Sequence, residues 1–569
     1  MSDENNALGY IVGGGLKEGL RVRLTIPAEE VQEGSFVVCD SGRMRYYGLV
    51  TDLQLGATDP RFADEASERM QPAIKRALLG KTLFTTLEMY STLMIDQGPE
   101  FGSPMREAFE KRVERGLEGP RPVKTVPTHH APVRAANEGD VADIFGHDGF
   151  EIGRTIEQEY PIRLDLERFV QRSSGIFGAT GTGKSFLTRM VLAGLICENV
   201  ASALVFDMHN EYGFDGQDSD NRERVRGLKN LFGERVQVAA LGAGATVTGH
   251  TADFTLELAT RDFEIGDINF LADTLSLTDT APYTLNALTR SFGDNWFASF
   301  MKLEPGKEIT DPETGKKEPA EDSVAKWAQN NNIHVAAAEA LHRRLMPIYK
   351  KDYVVEKPGG NAVKAIVDKL ENGRHVVLSF GNHEEELDYL LVTNILTRRI
   401  REHWIKKTNE YKKDMFGSPP KPLVIAVEEA HKLLNPQVSK QTSFGTIARE
   451  MRKYFVTLLV IDQRPSGIDD EVMSQLGTRI TGWLGDADDI RAVLTGLAGR
   501  EQLRGMLARL QEKEEVLLLG WGVKMPIPVR SRRYDENFYK EMKKCYGEKG
   551  GSTSLPDDYG MEDANKDLI

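Results

Sequence analysis

Residues 175–187 read GIFGATGTGKSFL. Gly178 is followed, after four residues, by Gly183, Lys184 and Ser185. That spacing predicts a phosphate-binding loop. Gly178, Gly181 and Gly183 let the backbone wrap an anion with its N–H groups turned inward. A helix opening near Lys184 adds the positive end of its dipole. Lys184 brings a point charge to the β- and γ-phosphates of a nucleotide, and the Ser185 hydroxyl suits Mg²⁺. A chance match in a glycine-rich turn is the alternative, and the flanks argue against it. SSGIF (173–177) reads as a strand entering the loop, and SFLTRMVLAGLICE (185–198) has helical period. ASALVFD (201–207) then reads as a buried parallel strand. Strand, loop, helix and strand make a βαβ unit and predict an α/β fold.

Working outward, further apolar runs end in chemistry-bearing residues. LVIAVEEAH (423–431) delivers Glu428 and Glu429 at the end of a buried strand, a costly placement for two carboxylates without a task. In a nucleotide site, Glu428 would belong to the Mg²⁺ shell and Glu429 would act as general base on the attacking water. A solvated strand end is the plainer reading. VTLLVIDQRPS (456–466) ends with Gln463 placed to sense the γ-phosphate or orient that water; a simple turn before Pro465 is the alternative. Arg172 lies twelve residues before Lys184, and Arg449 and Arg452 lie in IAREMRKYF (447–455). Any of the three could neutralise transition-state charge, or simply be solvated. VFDMHNEYG (205–213) puts Asp207, His209 and Glu211 after the second core strand, where ligands of parallel sheets sit. A capped turn explains them equally well.

The chain has 569 residues, is 40% hydrophobic and 28% charged, and carries a formal net charge of −14. This length fits several domains. The first stretches, YIVGGGLKEGLRVRLTI and GSFVVCDSGRMRYYGLVTDLQL, read as short strands broken by Gly-rich turns, hence a small barrel or sandwich. A Pro- and Gly-rich segment from about 96 to 140, with His129 and His130, reads as a long loop. Residues 253–350 read as mostly helical, interrupted by the charged loop LEPGKEITDPETGKKEPAED (303–322), and look like an insertion into the α/β core. EVLLLG and KMPIPVR near the end could pair as a hairpin, and the acidic tail beyond Cys545 suggests disorder. The domain boundaries expected are 1–150 for the barrel, 151–252 with 351–535 for the core, 253–350 for the insertion and 536–569 for the tail. Cys39, Cys197 and Cys545 lack metal-binding spacing and read as reduced thiols. The polar N-terminus and the lack of an apolar run near 18 residues predict a cytosolic protein that does not span a membrane. The acidic balance argues against a nucleic-acid coat protein but permits a channel lined by a few Lys and Arg.

Taken together, IFGATGTGKS, FDMHNEYG, VEEAH, REMRKYF and IDQRPS, in that order, resemble the HerA family of the HerA/FtsK class of hexameric ATPases. The resemblance covers roughly residues 5–535. It implies a RecA-like P-loop ATPase core with an inserted helical bundle, preceded by the family's N-terminal β-barrel. It further implies a homo-hexamer that binds ATP and Mg²⁺, translocates double-stranded DNA, and works with a NurA-like nuclease or an anti-phage effector. Carried over by position, Gly178, Ala179, Thr180, Gly181, Thr182, Gly183, Lys184, Ser185 and Phe186 hold the nucleotide. Ser185 and Glu428 face the metal, and Glu428, Glu429, Gln463, Arg172, Arg452 and Arg449 are the catalytic candidates. Glu428-Glu429-Ala430-His431 also resembles the box of DEAH-type helicases, but no second helicase core follows. No paired carboxylates with a Lys at nuclease spacing appear outside these motifs, so cutting is expected from a partner. Two other readings stand beside the translocase. One is a ring serving as an assembly platform for an effector, and the weaker one is a small-molecule kinase.

Overall fold

The computed structural model describes residues 7–58, 83–217, 224–242, 246–247, 249–310, 316–383, 385–414, 417–439 and 443–550. Two compact units make up the chain: Met1–Leu187 with Asp462–Ser466 and Leu476–Arg533, and Thr188–Ile461 with Gly467–Gln475 and Tyr534–Ile569.

The first unit begins with a closed barrel. Strands Ala7–Gly15, Gly19–Leu24, Phe36–Ser41, Met44–Ala57, Leu83–Asp96 and Pro132–Ala135 form a ring, which Gly19–Leu24 closes by pairing with Leu83–Asp96. Alternate residues point inward and build its core from Val22, Val37, Val50, Leu87, Met89 and Val133. Cys39 sits in the same core, and burial pushes its thiol up to about 12, so it stays protonated. The strand Pro132–Ala135 corrects the reading of 96–140 as one long loop. It fills the gap between Ala7–Gly15 and Phe36–Ser41, pairing with both. Four residues are too short to show alternation, so only tertiary pairing reveals this strand. Behind it, Asp140 is buried and accepts from Arg134 Nη1 at 2.6 Å and from Arg45 Nη1 at 3.2 Å. The same carboxylate completes the capping box of helix Glu138–Phe145. His129 and His130 are exposed loop residues.

The first unit also carries a mixed sheet, accompanied by helices such as Ala487–Val493 and Arg500–Arg509. Its order runs from Ser174–Phe177 through Thr478–Thr481, Glu515–Gly520, Ile527–Ser531 and Phe150–Thr155 to Pro161–Leu164. Only the first pair is parallel. The expected hairpin near the end is the antiparallel pair Glu515–Gly520 and Ile527–Ser531.

In the second unit the sheet is wholly parallel. Its order is Phe254–Leu256, Val236–Leu241, His375–Ser379, Ser202–Asp207, Leu423–Val427 and Val456–Asp462. The middle strands are buried along their whole length, as the continuous apolar runs require. Between them the chain makes a helical insertion whose ends meet, Leu258–Ala259 pairing in parallel with Val354–Val355. Helices Ala281–Phe292, Trp296–Met301 and Val335–Tyr349 pack around Phe297, Phe300, Leu285 and Leu345, which are fully buried. Within the charged segment 303–322, Glu308–Thr310 pairs antiparallel with Lys317–Pro319, and these strands are largely exposed.

Residues Glu536–Gly550 form a helix, and residues 551–569 of the expected tail lie outside the described residues. The helix is held by buried Phe538, Tyr539 and Met542, and near its start the Tyr534 hydroxyl donates to the Arg226 carbonyl at 2.9 Å. Here the structure corrects the reading of all three cysteines as reduced. Cys197 and Cys545, 348 residues apart in sequence, are joined by a disulfide with a Cα–Cα distance of 5.8 Å. Spacing along a chain says nothing about a pair that meets only in space. Peptide mapping of the oxidised protein without reductant should recover the Cys197 and Cys545 peptides linked, with Cys39 in neither. No helix among the described residues is long and apolar enough to cross a membrane.

Candidate nucleotide site

The phosphate loop is built by the first unit. After the buried strand Ser174–Phe177 the chain folds back on itself. The Ala179 carbonyl accepts from Thr182 Oγ1 at 2.8 Å and from Thr182 N at 3.3 Å, while Ala179 N donates to the Trp483 carbonyl at 3.1 Å. A Cβ at Gly178 would lie 2.5 Å from Thr182 Oγ1, so any larger residue there would displace the hydroxyl that holds the Ala179 carbonyl. At Gly183 φ is 83°, a left-handed conformation that turns the backbone into helix Lys184–Glu198. Lys184, Ser185 and Phe186 open that helix half-buried, and Lys184 makes no ion pair among the described residues. A lysine at a helix N-terminus meets the unfavourable end of the dipole, a placement that an anion relieves.

Gln463 reaches this loop. Its Oε1 accepts from Thr180 Oγ1 at 2.5 Å across 283 residues of sequence. The turn that presents it is set by Asp462, whose carboxylate accepts from Arg464 N at 2.7 Å.

The two glutamates belong to the second unit and have contrasting surroundings. Glu428 follows the fully buried strand Leu423–Val427 and is itself 5% exposed. Its Oε1 accepts from the Tyr212 hydroxyl at 2.6 Å, and its carbonyl accepts from the Tyr389 hydroxyl at 2.7 Å. Burial, with the Glu428 charge beside it, pushes the Tyr212 phenol far above its ordinary value, so it remains a donor. Glu429 stands at φ 45°, in the left-handed region that costs a non-glycine residue on the order of 1 kcal/mol or more. Its carboxylate lies 3.7 Å from His431 Nδ1, and its carbonyl accepts from Lys432 N at 2.9 Å as the short helix His431–Leu434 begins.

Asp207, His209 and Glu211 divide. Asp207 caps the turn after its strand, accepting from Glu211 N at 2.8 Å and Tyr212 N at 2.9 Å. Burial pushes its carboxyl up to about 6, against the pull of these two donors. Glu211 takes part through its carbonyl, which accepts from Arg189 Nε at 3.1 Å and Nη2 at 2.6 Å. His209 is exposed. The residue that sequence reasoning missed here is Tyr212. Its only sequence signal is an aromatic residue inside a polar turn that follows a core strand.

The arginines are placed as follows. Arg172 is half-buried with its guanidinium 4.3 Å from the centre of the Trp521 ring, and Arg168 covers the same ring at 4.7 Å. Arg172 Nε is buried and has no hydrogen-bond partner among the described residues. Arg449 ends on helix Ser443–Glu450, and Arg452 is exposed on the 3₁₀ turn Met451–Tyr454.

Residues 150–400 match the family model described as the helicase HerA central domain. The chain is 23% identical over 555 residues to the DNA double-strand break repair helicase HerA of Sulfurisphaera tokodaii, covering 95% of this chain and 97% of that one. To the helicase of the same name from Saccharolobus solfataricus it is 23% identical over 529 residues, 92% and 91% of the two chains. Among solved structures it is similar to VirB4 of Thermoanaerobacter pseudethanolicus, with a TM-score of 0.43, 15% identity, and 69% of this chain and 98% of that chain covered. The plasmid coupling protein TrwB in complex with ADP and Mg²⁺ is similar at a TM-score of 0.40 and 11% identity, with 70% and 92% covered. A glycine-built phosphate loop, a buried acidic strand end and likeness over nearly the whole chain lead to one conclusion: the chain is similar to the HerA helicases, with a match to their central domain at residues 150–400.

Proposed function

We propose that the protein is an ATP-driven translocase of double-stranded DNA, acting as a homo-hexamer with a partner nuclease or an anti-phage effector in DNA end processing or defence. The observation that carries the ATPase part is the hydrogen bond from Thr180 in the phosphate loop to Gln463. It joins the loop that wraps phosphates to the residue suited to sensing them. Lys184 and the loop N–H groups bind the phosphates. Glu429 takes the proton of a water that attacks the γ-phosphorus, and ADP leaves as inorganic phosphate forms. Gln463 orients that water. Arg172, Arg449 and Arg452 are the candidates for neutralising charge on the transferring group, from the same or a neighbouring subunit.

Glu428 and Ser185 offer hard oxygen donors, the ligand type that Mg²⁺ selects, and the burial of Glu428 fits a carboxylate kept for a cation. Mg²⁺, when bound, supplies positive charge to the phosphate oxygens. The DNA part rests on the HerA helicases to which the chain is similar. With a net charge of −14, DNA affinity has to come from local Lys and Arg, and should fall steeply with salt.

Steady-state ATP hydrolysis with and without linear duplex DNA, measured beside native mass, tests the reading. A hexamer whose turnover rises several-fold with duplex supports the translocase. A hexamer indifferent to DNA but stimulated by a protein partner favours the assembly platform. The platform draws on exposed apolar side chains in the segment after the barrel strand, Phe101, Met105 and Leu117, which are 85%, 64% and 66% exposed.

A further inference from the structure

We propose that Tyr212 is a positioning residue for the cation-facing carboxylate of Glu428, an inference that rests on the assignment of Glu428 to the Mg²⁺ shell above. A glutamate at a strand end turns freely about its last torsion unless something holds one oxygen. Here the Tyr212 hydroxyl holds Oε1 at 2.6 Å. The phenol is itself fixed at three points. Its backbone N–H donates to the Asp207 carboxylate at 2.9 Å, its ring lies 5.7 Å from the Arg189 guanidinium, and its side chain is fully buried. Arg189 in turn is anchored on the Glu211 carbonyl. The Glu428 backbone is held separately, by the Tyr389 hydroxyl on its carbonyl. Main chain and side chain of Glu428 thus have one tyrosine each.

The chemistry of the donor matters. A guanidinium or ammonium on Oε1 would neutralise the carboxylate and compete with a divalent cation. A phenol orients the same oxygen without bringing a positive charge of its own. This is the usual division between a ligand and the outer group that aims it, and losing such a group typically weakens metal affinity about 10- to 100-fold. It also gives the turn Asp207–Tyr212 a role that its capping bonds alone do not explain.

The test is a Mg²⁺ titration of fluorescent ATP-analogue binding to the full chain, alongside ATPase activity. Tyr212→Phe keeps the ring and removes only the hydroxyl. It should raise the Mg²⁺ concentration for half-maximal binding by about tenfold or more, leave binding in EDTA unchanged, and recover most of its turnover at high Mg²⁺. Tyr389→Phe, which removes the donor to the backbone carbonyl, should lower Tm without moving the Mg²⁺ midpoint comparably. A Tyr212→Phe midpoint within twofold of the unmodified chain, or a loss that high Mg²⁺ does not restore, overturns the proposal. Glu428→Gln separates the two layers. If it leaves the midpoint in place, the assignment of Glu428 itself fails; if it shifts the midpoint and Tyr212→Phe does not, only the positioning role fails. Should Tyr212→Phe not fold, Asp207→Asn loosens the anchor of the Tyr212 backbone, and the same midpoint shift decides the matter.

Discussion

Glu429→Gln is expected to lower the rate of ATP hydrolysis by about 10²- to 10⁴-fold, the usual contribution of a positioned general base, while nucleotide still binds. The amide keeps the shape of the side chain and its place after the buried strand, but no longer accepts a proton. The left-handed backbone at Glu429, with φ at 45°, supports this role. A strained non-glycine conformation persists where the surrounding fold holds it, and such positions cluster at functional sites. Folding should be little affected, because the amide matches the carboxylate in size and shape and Glu429 is only half-buried. Phosphate release under saturating ATP, with affinity from fluorescent-nucleotide titration, reads both halves. Turnover within twofold of the unmodified chain would sink the assignment of the base. Weak binding together with weak turnover would point instead to a structural defect.

Lys184→Ala should act on binding. The lysine opens the helix Lys184–Glu198 and has no carboxylate partner among the described residues. Removing it deletes a charge-assisted contact to phosphate worth about 1.5–3 kcal/mol, roughly 10- to 100-fold in nucleotide affinity. Its transition-state share should lower turnover further. The fold should not suffer. Alanine is the better helix former, and a positive charge at a helix N-terminus is mildly unfavourable, so Tm without nucleotide should hold or rise slightly. Nucleotide should then protect the variant much less than the unmodified chain in a thermal melt. Equal protection of the two would remove Lys184 from the phosphate site.

Much of the core was legible because its signals are local. The buried strands Ser202–Asp207, Leu423–Val427 and Val456–Asp462 are continuous apolar runs, and the last hairpin joins two short apolar runs. The helical insertion announced itself by apolar spacing, while the paired strands Glu308–Thr310 and Lys317–Pro319 lay hidden in a segment read as a charged loop. What failed to show was short or long-range. Pro132–Ala135 has too few residues to carry a period, so a barrel strand passed for loop. The helix Glu536–Gly550 sits on a polar, charged stretch, and its order comes from Phe538, Tyr539 and Met542 docking into the second unit.

The sequence by itself determined the phosphate loop, because Gly178 to Ser185 are consecutive and their backbone preferences need no partner. It likewise set the strand ends that present Glu428 and Gln463, since an apolar run that stops at a polar residue defines its own edge. Tertiary structure alone decided which residues answer one another. Thr180 meets Gln463 across 283 residues, Tyr212 meets Glu428 across 216, and Cys197 meets Cys545 across 348. Such pairs leave no mark on periodicity or propensity, which act over a few neighbouring residues. Tyr212 meets Glu428 because the parallel sheet places Ser202–Asp207 beside Leu423–Val427, and a side chain at the end of one strand can reach only what packing sets beside it.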